Sequence, residues 1–544
     1  MGMNVYFLYE DKEWQNVQKY SDAQNIIQDL GLKTLFSISA KEVLSKENMV
    51  VGISQEDLFL SQTMKTVMMT PLTTEAEILY RHEMIRDVLK HTEFVCELYT
   101  CVDDMLKRWD SLGRKLNEKG NTKDSKARLL SDIQILRLFV TTLSQIRVLF
   151  REQVTKLSAK GFLCFYERLC EEFTEEKEAA FLKILEDVSF YSGDIESGGR
   201  DMLEANQRVV LGCNIANGLK CGGFVIEEIV TNTKKLRGRN SIAEKMQDYF
   251  YAQKQGTISV RKNLYMQDEI DALEYEVVRY VISACEPFVR SMNDFFDQLH
   301  FQLGFYRGVV NLQMHMQRFA LPYCYPTVGA QETLRFQDLK EFVMAIEQRI
   351  LPVGNTCDIS DCMLLVITGA NQGGKSTFLR SIGIAQIMMQ CGLPVIAKSY
   401  ESGIFPSFFT HFTRREDSAM NSGRLDEELK RMSQIVDNLG EDSMVLLNES
   451  FATTTEKEGS VIAYDIIKAL TEADVKVLTV THLLSFAQRI YQESKEENAK
   501  NIEFFSAERE EGGRRTYHMI QHEPELTSFG MDLFDSIIRE EGKQ

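Results

Sequence analysis

The chain has 544 residues, 44% of them hydrophobic and 26% charged, and carries a net charge of −18. That composition belongs to an ordinary globular chain of several domains and excludes a disordered or fibrous one. The acidic balance excludes a surface that is basic overall, so any nucleic acid must meet a local patch or an encircling geometry.

The N-terminus carries no basic segment followed by an apolar core, and no apolar run reaches the ~18 residues of a spanning helix, so no membrane is expected. The 11 cysteines form no CxxC pair, which predicts buried thiols in a reducing, cytoplasmic setting. Residues 1–70 mix short apolar runs (5–9 and 49–53) with polar helical stretches and are left unassigned. From 75 to 188 apolar residues recur three or four apart, as in Ile78, Ile85, Val88 and Val95, which predicts long helices. No proline stands between Pro71 and Pro287 to interrupt them. Residues 190–265 differ: glycines punctuate β-type runs at 209–211, 224–230 and 257–260, predicting a small inserted module. Helical spacing returns from Glu269 to Phe319, and prolines 322 and 326 mark a linker. Beyond Gly329, strand, loop and helix alternate, predicting an α/β domain with a largely parallel sheet. The expected domains are therefore 1–70, a helical region of 71–189 and 266–325, an inserted module of 190–265, and an α/β domain of 326–544.

The α/β part carries the chemistry. An apolar strand at 363–368 runs into Gly369-Ala370-Asn371-Gln372-Gly373-Gly374-Lys375-Ser376-Thr377, a full G-x-x-x-x-G-K-[ST] match followed by a helical pattern. Glycines let backbone amides close round phosphates, with a helix N-terminus behind them. Lys375 is expected to reach the β- and γ-phosphates of ATP and Ser376 to ligate Mg²⁺. A second apolar strand, 444–447, ends in Asn448-Glu449. A carboxylate there activates water, so Glu449 is the candidate general base, with Asn448 beside the metal in place of the usual aspartate. That neutral residue leaves the hydrolysis rate open. A third strand, 475–480, ends in Thr481-His482, placing a candidate γ-phosphate sensor at the same sheet edge.

Taken together, ITGANQGGKSTFLRSIG, VLLNESFATTTEKEG and TVTHLLSFA resemble the ATPase segments of the MutS family of DNA repair proteins. About 75 residues separate Lys375 from Glu449, too few for the helical insertion of a transporter-type ABC ATPase. The resemblance is close over 330–540 and loose over 70–330, where helical arms around a β module look like that family's core, lever and clamp regions. It implies an ABC-type P-loop ATPase domain, an ATPase activity, and head-to-tail homodimers. In such dimers a serine/glycine helix start completes the partner's nucleotide site, and Ser422 and Gly423 match that signature here. It also implies a clamp acting on mismatched or branched DNA, with Lys234, Lys235, Arg237 and Arg239 as the basic cluster for backbone phosphates. An RNA- or ribosome-associated remodelling ATPase and a slow ATP switch on a protein partner remain open. The expectation is a short form without the mismatch-reading domain, because about 70 residues precede the helical region. Phe165-Tyr166-Glu167 matches that domain's Phe-x-Glu tripeptide but lies in a helical stretch, where it is not expected to act as a wedge.

Overall fold

The computed structural model describes residues 4–40, 54–118, 125–190, 207–216, 220–231, 264–413, 424–496, 501–510 and 515–524. In chain order the first elements are α1 (Ala23–Leu30), α2 (Lys33–Ala40), α3 (Gln55–Met68), α4 (Glu75–Lys90), α5 (Thr92–Glu118), α6 (Ser125–Gln153), α7 (Lys160–Glu172) and α8 (Glu175–Phe190). The strands β1 (Gln207–Ala216) and β2 (Lys220–Thr231) and the long helix α9 (Leu264–Arg318) follow. Starts are set locally. Ser54 with Asp57, and Thr74 with Glu77, form reciprocal capping boxes at α3 and α4. The helix α9 runs through Pro287, which removes one backbone donor without ending it.

Two compact units emerge, residues 101–148 with 169–296, and residues 3–100 with 149–168 and 297–544. In the first, β1 and β2 pair antiparallel with register shifts at Val210/Leu211 and Gly212/Asn214. Two of the three runs predicted to be β-type, 209–211 and 224–230, fall in this pair; the third, 257–260, lies outside the described residues. Helical packing there is aromatic: Phe139 stacks on Phe296, with ring centroids 5.3 Å apart, and meets Trp109 edge-on. Arg147 donates to the Phe173 carbonyl and pairs with Glu178 at 2.5 Å. Within α6, residues 132–153 have the length and hydropathy of a membrane-crossing helix, but half of that window is buried in the molecule, as in a core helix.

The second unit holds two sheets. Its remaining strands are β3 (Thr327–Val328), β4 (Leu334–Leu339), β5 (Asn355–Asp358), β6 (Leu364–Thr368), β7 (Ser399–Ser402), β8 (Ser407–Phe412), β9 (Ser443–Asn448), β10 (Lys476–Val480), β11 (Ile502–Arg509) and β12 (Arg515–Gln521). Its remaining helices are α10 (Phe342–Gln348), α11 (Lys375–Gln390), α12 (Arg424–Asp437), α13 (Glu456–Glu472) and α14 (Leu484–Glu496). The larger sheet has the order β12-β11-β6-β10-β9-β8 and is parallel except for β12. Its central strand β6 is buried at every residue, as a strand between two parallel neighbours must be. The expectation of one largely parallel sheet is corrected by β3-β7-β4-β5, a second sheet in which β4 pairs antiparallel with both neighbours.

The unassigned N-terminal residues belong to this second unit. The run 5–9 adds no strand to a sheet; its backbone is satisfied by side chains of α9. Gln302 Oε1 accepts from Phe7 N at 2.8 Å and Leu8 N at 3.0 Å, and Gln302 Nε2 donates to the Val5 carbonyl. Phe7 packs edge-on against Phe162 and Phe165. Helix α1 lies on β8, the sheet edge, and places Asp29 where an edge strand would expose its polar groups. The Asp29 carboxylate accepts from Thr410 Oγ1 (2.9 Å), Phe412 N (3.3 Å) and Arg431 Nη2 of α12 (3.1 Å).

Candidate active site

Strands β6, β9 and β10 end at one sheet edge, and each delivers one predicted functional segment there. After Thr368 the backbone turns through Gly369 (φ 110°), Gln372 (φ 59°) and Gly374 (φ 91°), and helix α11 begins at Lys375. The φ of Gly369 lies where a side chain is strained, so glycine is required. A Cβ on Gly373 would stand 2.7 Å from Ala507 Cβ, so β11 closes the loop from behind. Lys375 is buried, and its Nζ donates to the carbonyls of Gly369 (2.7 Å) and Ala370 (2.8 Å). The loop thus carries its own cation over the free amides of a helix start, a cradle for anionic phosphates.

The cavity beside this loop measures about 490 Å³. Residues 371–378, Glu449 and His482 line it, together with Ile350, Leu351, Pro352, Val353 and Tyr517. Ile350, Leu351 and Val353 are more than 40% exposed, an apolar wall without a covering side chain. Tyr517 comes from β12, whose neighbour Arg515 donates to Gln372 Oε1 at 2.8 Å. Asn355 holds this strand, donating to the Tyr517 carbonyl and accepting from Met519 N. Sequence reading missed both the 350–353 wall and Tyr517. The only local signal was an apolar Ile-Leu-Pro-Val stretch shortly before the phosphate strand.

Glu449 stands at the end of β9 with φ 56°, and Phe451 follows with φ 64°. This strained turn turns the Glu449 side chain to the cavity, where Oε1 lies 3.1 Å from His482 Nε2. The hydrogen bond from His482 holds the Glu449 carboxyl below the usual carboxylate range, with the Lys375 charge adding to the effect against burial. The glutamate is therefore ionised at neutral pH and able to accept a proton. The predicted trio of Lys375, Glu449 and His482 meets around one cavity.

The candidate metal ligands are Ser376 and Glu449 on the cavity wall, and Asn448 one residue before Glu449. Among the described residues no three acidic, histidine or cysteine side chains converge, so a divalent ion here depends on Glu449, neutral oxygens and the nucleotide's own phosphates. Asn448 Oδ1 is buried and without a partner, and so is Thr368 Oγ1 at the end of β6. Orphaned oxygens at this sheet edge fit an ion or its water shell.

Two family models match the chain: the MutS2 N-terminal domain over residues 73–319 and MutS domain V over residues 365–538. The chain belongs to the MutS family. Endonuclease MutS2 of Streptococcus thermophilus is 28% identical over 201 residues, which are 37% of this chain and 24% of that protein. Endonuclease MutS2 of Streptococcus sanguinis is 33% identical over 123 residues, 22% of this chain and 16% of that protein. MutS protein homolog 4 of Mus musculus is 34% identical over 134 residues, 24% of this chain and 14% of that protein. These matches span about a quarter of the relatives' own length or less. The phosphate loop, Glu449 and His482 all lie inside the segment that matches MutS domain V.

Other sequence expectations fare differently. Phe165-Tyr166-Glu167 sits in α7, with Phe165 buried and Tyr166 stacked flat on Phe150, so neither aromatic ring projects as a wedge. Ser422 and Gly423 lie outside the described residues, immediately before α12. Lys234, Lys235, Arg237 and Arg239 also lie outside them.

Proposed function

We propose that this chain binds and hydrolyses ATP in the 490 Å³ cavity and uses the cycle to act on DNA. The observation that carries the reading is the meeting of a phosphate loop, a buried lysine and a hydrogen-bonded glutamate–histidine pair around one space. The amides of residues 371–377 and Lys375 bind the β- and γ-phosphates, and the base rests between the 350–353 wall and the Tyr517 ring. Ser376 and Asn448 would hold Mg²⁺, which would supply charge to offset that of the phosphates. Glu449 takes a proton from water, the resulting hydroxide oxygen bonds to the γ-phosphorus, and the bond to the β-bridging oxygen breaks, leaving ADP and phosphate. His482 donates to Glu449 and orients it.

Membership of the MutS family, with relatives named MutS2 and MutS homolog 4, supports repair or recombination as the setting. In this reading two copies form a homodimeric clamp on mismatched or branched DNA, closed by ATP. The proposed partition assigns 71–189 and 266–325 to the core and lever, 190–265 to a clamp module, and 326–544 to the ATPase. Ser422 and Gly423 serve the partner's nucleotide, and the basic cluster at 234–239 meets backbone phosphates.

Glu449→Gln tests the chemistry. It should retain ATP binding and lose at least about a hundredfold in turnover, the range typical of a lost general base. Parental turnover in this variant removes Glu449 from the role. ATP binding with no turnover in the parent itself favours an ATP switch, a reading consistent with the neutral Asn448.

A further inference from the structure

The base does not hold its own position. Strand β9 ends at Asn448, and the next three residues form the turn that aims Glu449 at the cavity. Two of those residues have positive φ, a conformation that persists only when surrounding contacts over-determine it. Several of these contacts come from α12 and β8. From α12, the Glu428 carboxylate Oε2 accepts from Phe451 N at 2.8 Å. From β8, His411 Nδ1 meets Ser450 Oγ at 2.7 Å, while its Nε2 meets the Glu428 carbonyl at 3.1 Å. A carbonyl only accepts, so Nε2 carries a proton toward Glu428, while the Ser450 hydroxyl donates to the His411 carbonyl at 2.9 Å. Just beyond β8, Thr413 Oγ1 donates to the Glu449 carbonyl at 2.6 Å. Glu428 is 7% exposed and His411 is fully buried. Neither lines the cavity, and neither was singled out for a role from the sequence.

We infer that Glu428 is a positioning residue for ATP hydrolysis: its carboxylate, acting on the Phe451 amide, sets the turn that places Glu449 against the γ-phosphate. The inference rests on Glu449 being the base, as proposed above. It makes Glu428 more than a buried helix residue. Burial pushes the Glu428 carboxyl above its ordinary value, against the Phe451 amide, the Thr453 and Thr413 hydroxyls and the Arg431 charge, which lower it. An apolar side chain in its place would leave the buried Phe451 amide without its acceptor. Helix α12 is itself held from outside the site, because Arg431 bonds Asp29 and donates to the Phe412 carbonyl at 3.0 Å. The base is thereby tied to both the sheet edge and the N-terminal helix.

Glu428→Met removes the acceptor at similar volume, and Glu428→Gln keeps an acceptor without the charge. In the full chain with ATP and Mg²⁺, the Met variant should lose roughly tenfold or more in kcat, because small displacements of a reacting group are costly. Its KM and its affinity for a non-hydrolysed ATP analogue should stay within about twofold, and the Gln variant should recover turnover to within about threefold. Parental kcat in the Met variant overturns the inference. So does equal loss in both variants, since the acceptor would then not matter. Loss of analogue binding together with turnover in the Met variant overturns it in favour of a purely structural role. Glu449→Gln runs alongside: if that variant turns over at the parental rate, the assignment of the base has failed. If it is dead while Glu428→Met is unimpaired, only the present inference has failed.

Discussion

The phosphate loop and the Glu449 turn close two strands of one sheet, yet they are held by different means. The loop is nearly self-contained. Two of its three left-handed positions fall on glycines, 369 and 374, the third on Gln372, and its lysine is secured by carbonyls five and six residues earlier. The turn is assembled from a distance. It draws on Glu428, His411, Thr413 and His482, and Glu449 N itself donates to the Val480 carbonyl at 2.8 Å. Its left-handed positions fall on Glu449 and Phe451, which bear the strain because their neighbours hold them. A motif can therefore bring its own geometry or borrow it, and only the first kind tolerates a changed surrounding.

Changes on each side should break or sharpen that contrast. Lys375→Ala attacks the self-contained loop. Charge-assisted hydrogen bonds contribute about 1.5–3 kcal/mol each, so losing those to two phosphates should weaken ATP binding about a thousandfold. Because the lysine donates to carbonyls of its own loop, the melting transition should barely move. Labelled-nucleotide binding and a thermal melt read both; ATP affinity within tenfold of the parent is incompatible with the proposed cradle.

Asp29→Ala attacks the borrowed support at its outermost point. The Asp29 side chain is 2% exposed and that of Arg431 13% exposed. Removing one partner leaves a buried guanidinium and the Phe412 amide of β8 poorly compensated, which should cost about 3 kcal/mol. A denaturant midpoint measures this, and an unchanged midpoint would show that α1 is dispensable to the sheet edge. Asp29→Asn keeps an acceptor and should lose less.

The mildest change, Gly459→Ala, probes the turn from α13. A Cβ at Gly459 would stand 2.5 Å from the Phe451 carbonyl oxygen, a backbone atom that can yield only if the turn shifts. Turnover should drop about tenfold with nucleotide affinity retained, since a misplacement below 1 Å already slows a positioned reaction. A parallel loss of affinity would mean that the two segments are mechanically joined after all.

Much of the nucleotide site was legible in the residues alone. The strand–loop–helix at 364–390 could be read because most of what shapes it lies within it: buried apolar residues, glycines at the turns, and a lysine within reach of its own loop. Glu449 and His482 could be placed at the same edge because strands β9 and β10 are continuous apolar runs that end just before them. The helices of 75–188 were legible through their spacing, and α3 and α4 carry their own capping boxes. What no local pattern encoded were contacts whose partners are far apart in sequence. Residues 5–9 read as an apolar run, but their backbone is satisfied by Gln302, almost three hundred positions later. Asp29, in the N-terminal stretch left unassigned from the sequence, caps a sheet edge nearly four hundred positions away. Glu428 read as part of a helix start, and its role is set by an amide that only the pairing of β8 with β9 brings beside it. Periodicity and turn chemistry report what each segment does with its own backbone. The partner of a buried charge is chosen by the packing of whole elements, and that was decided only when the chain had folded.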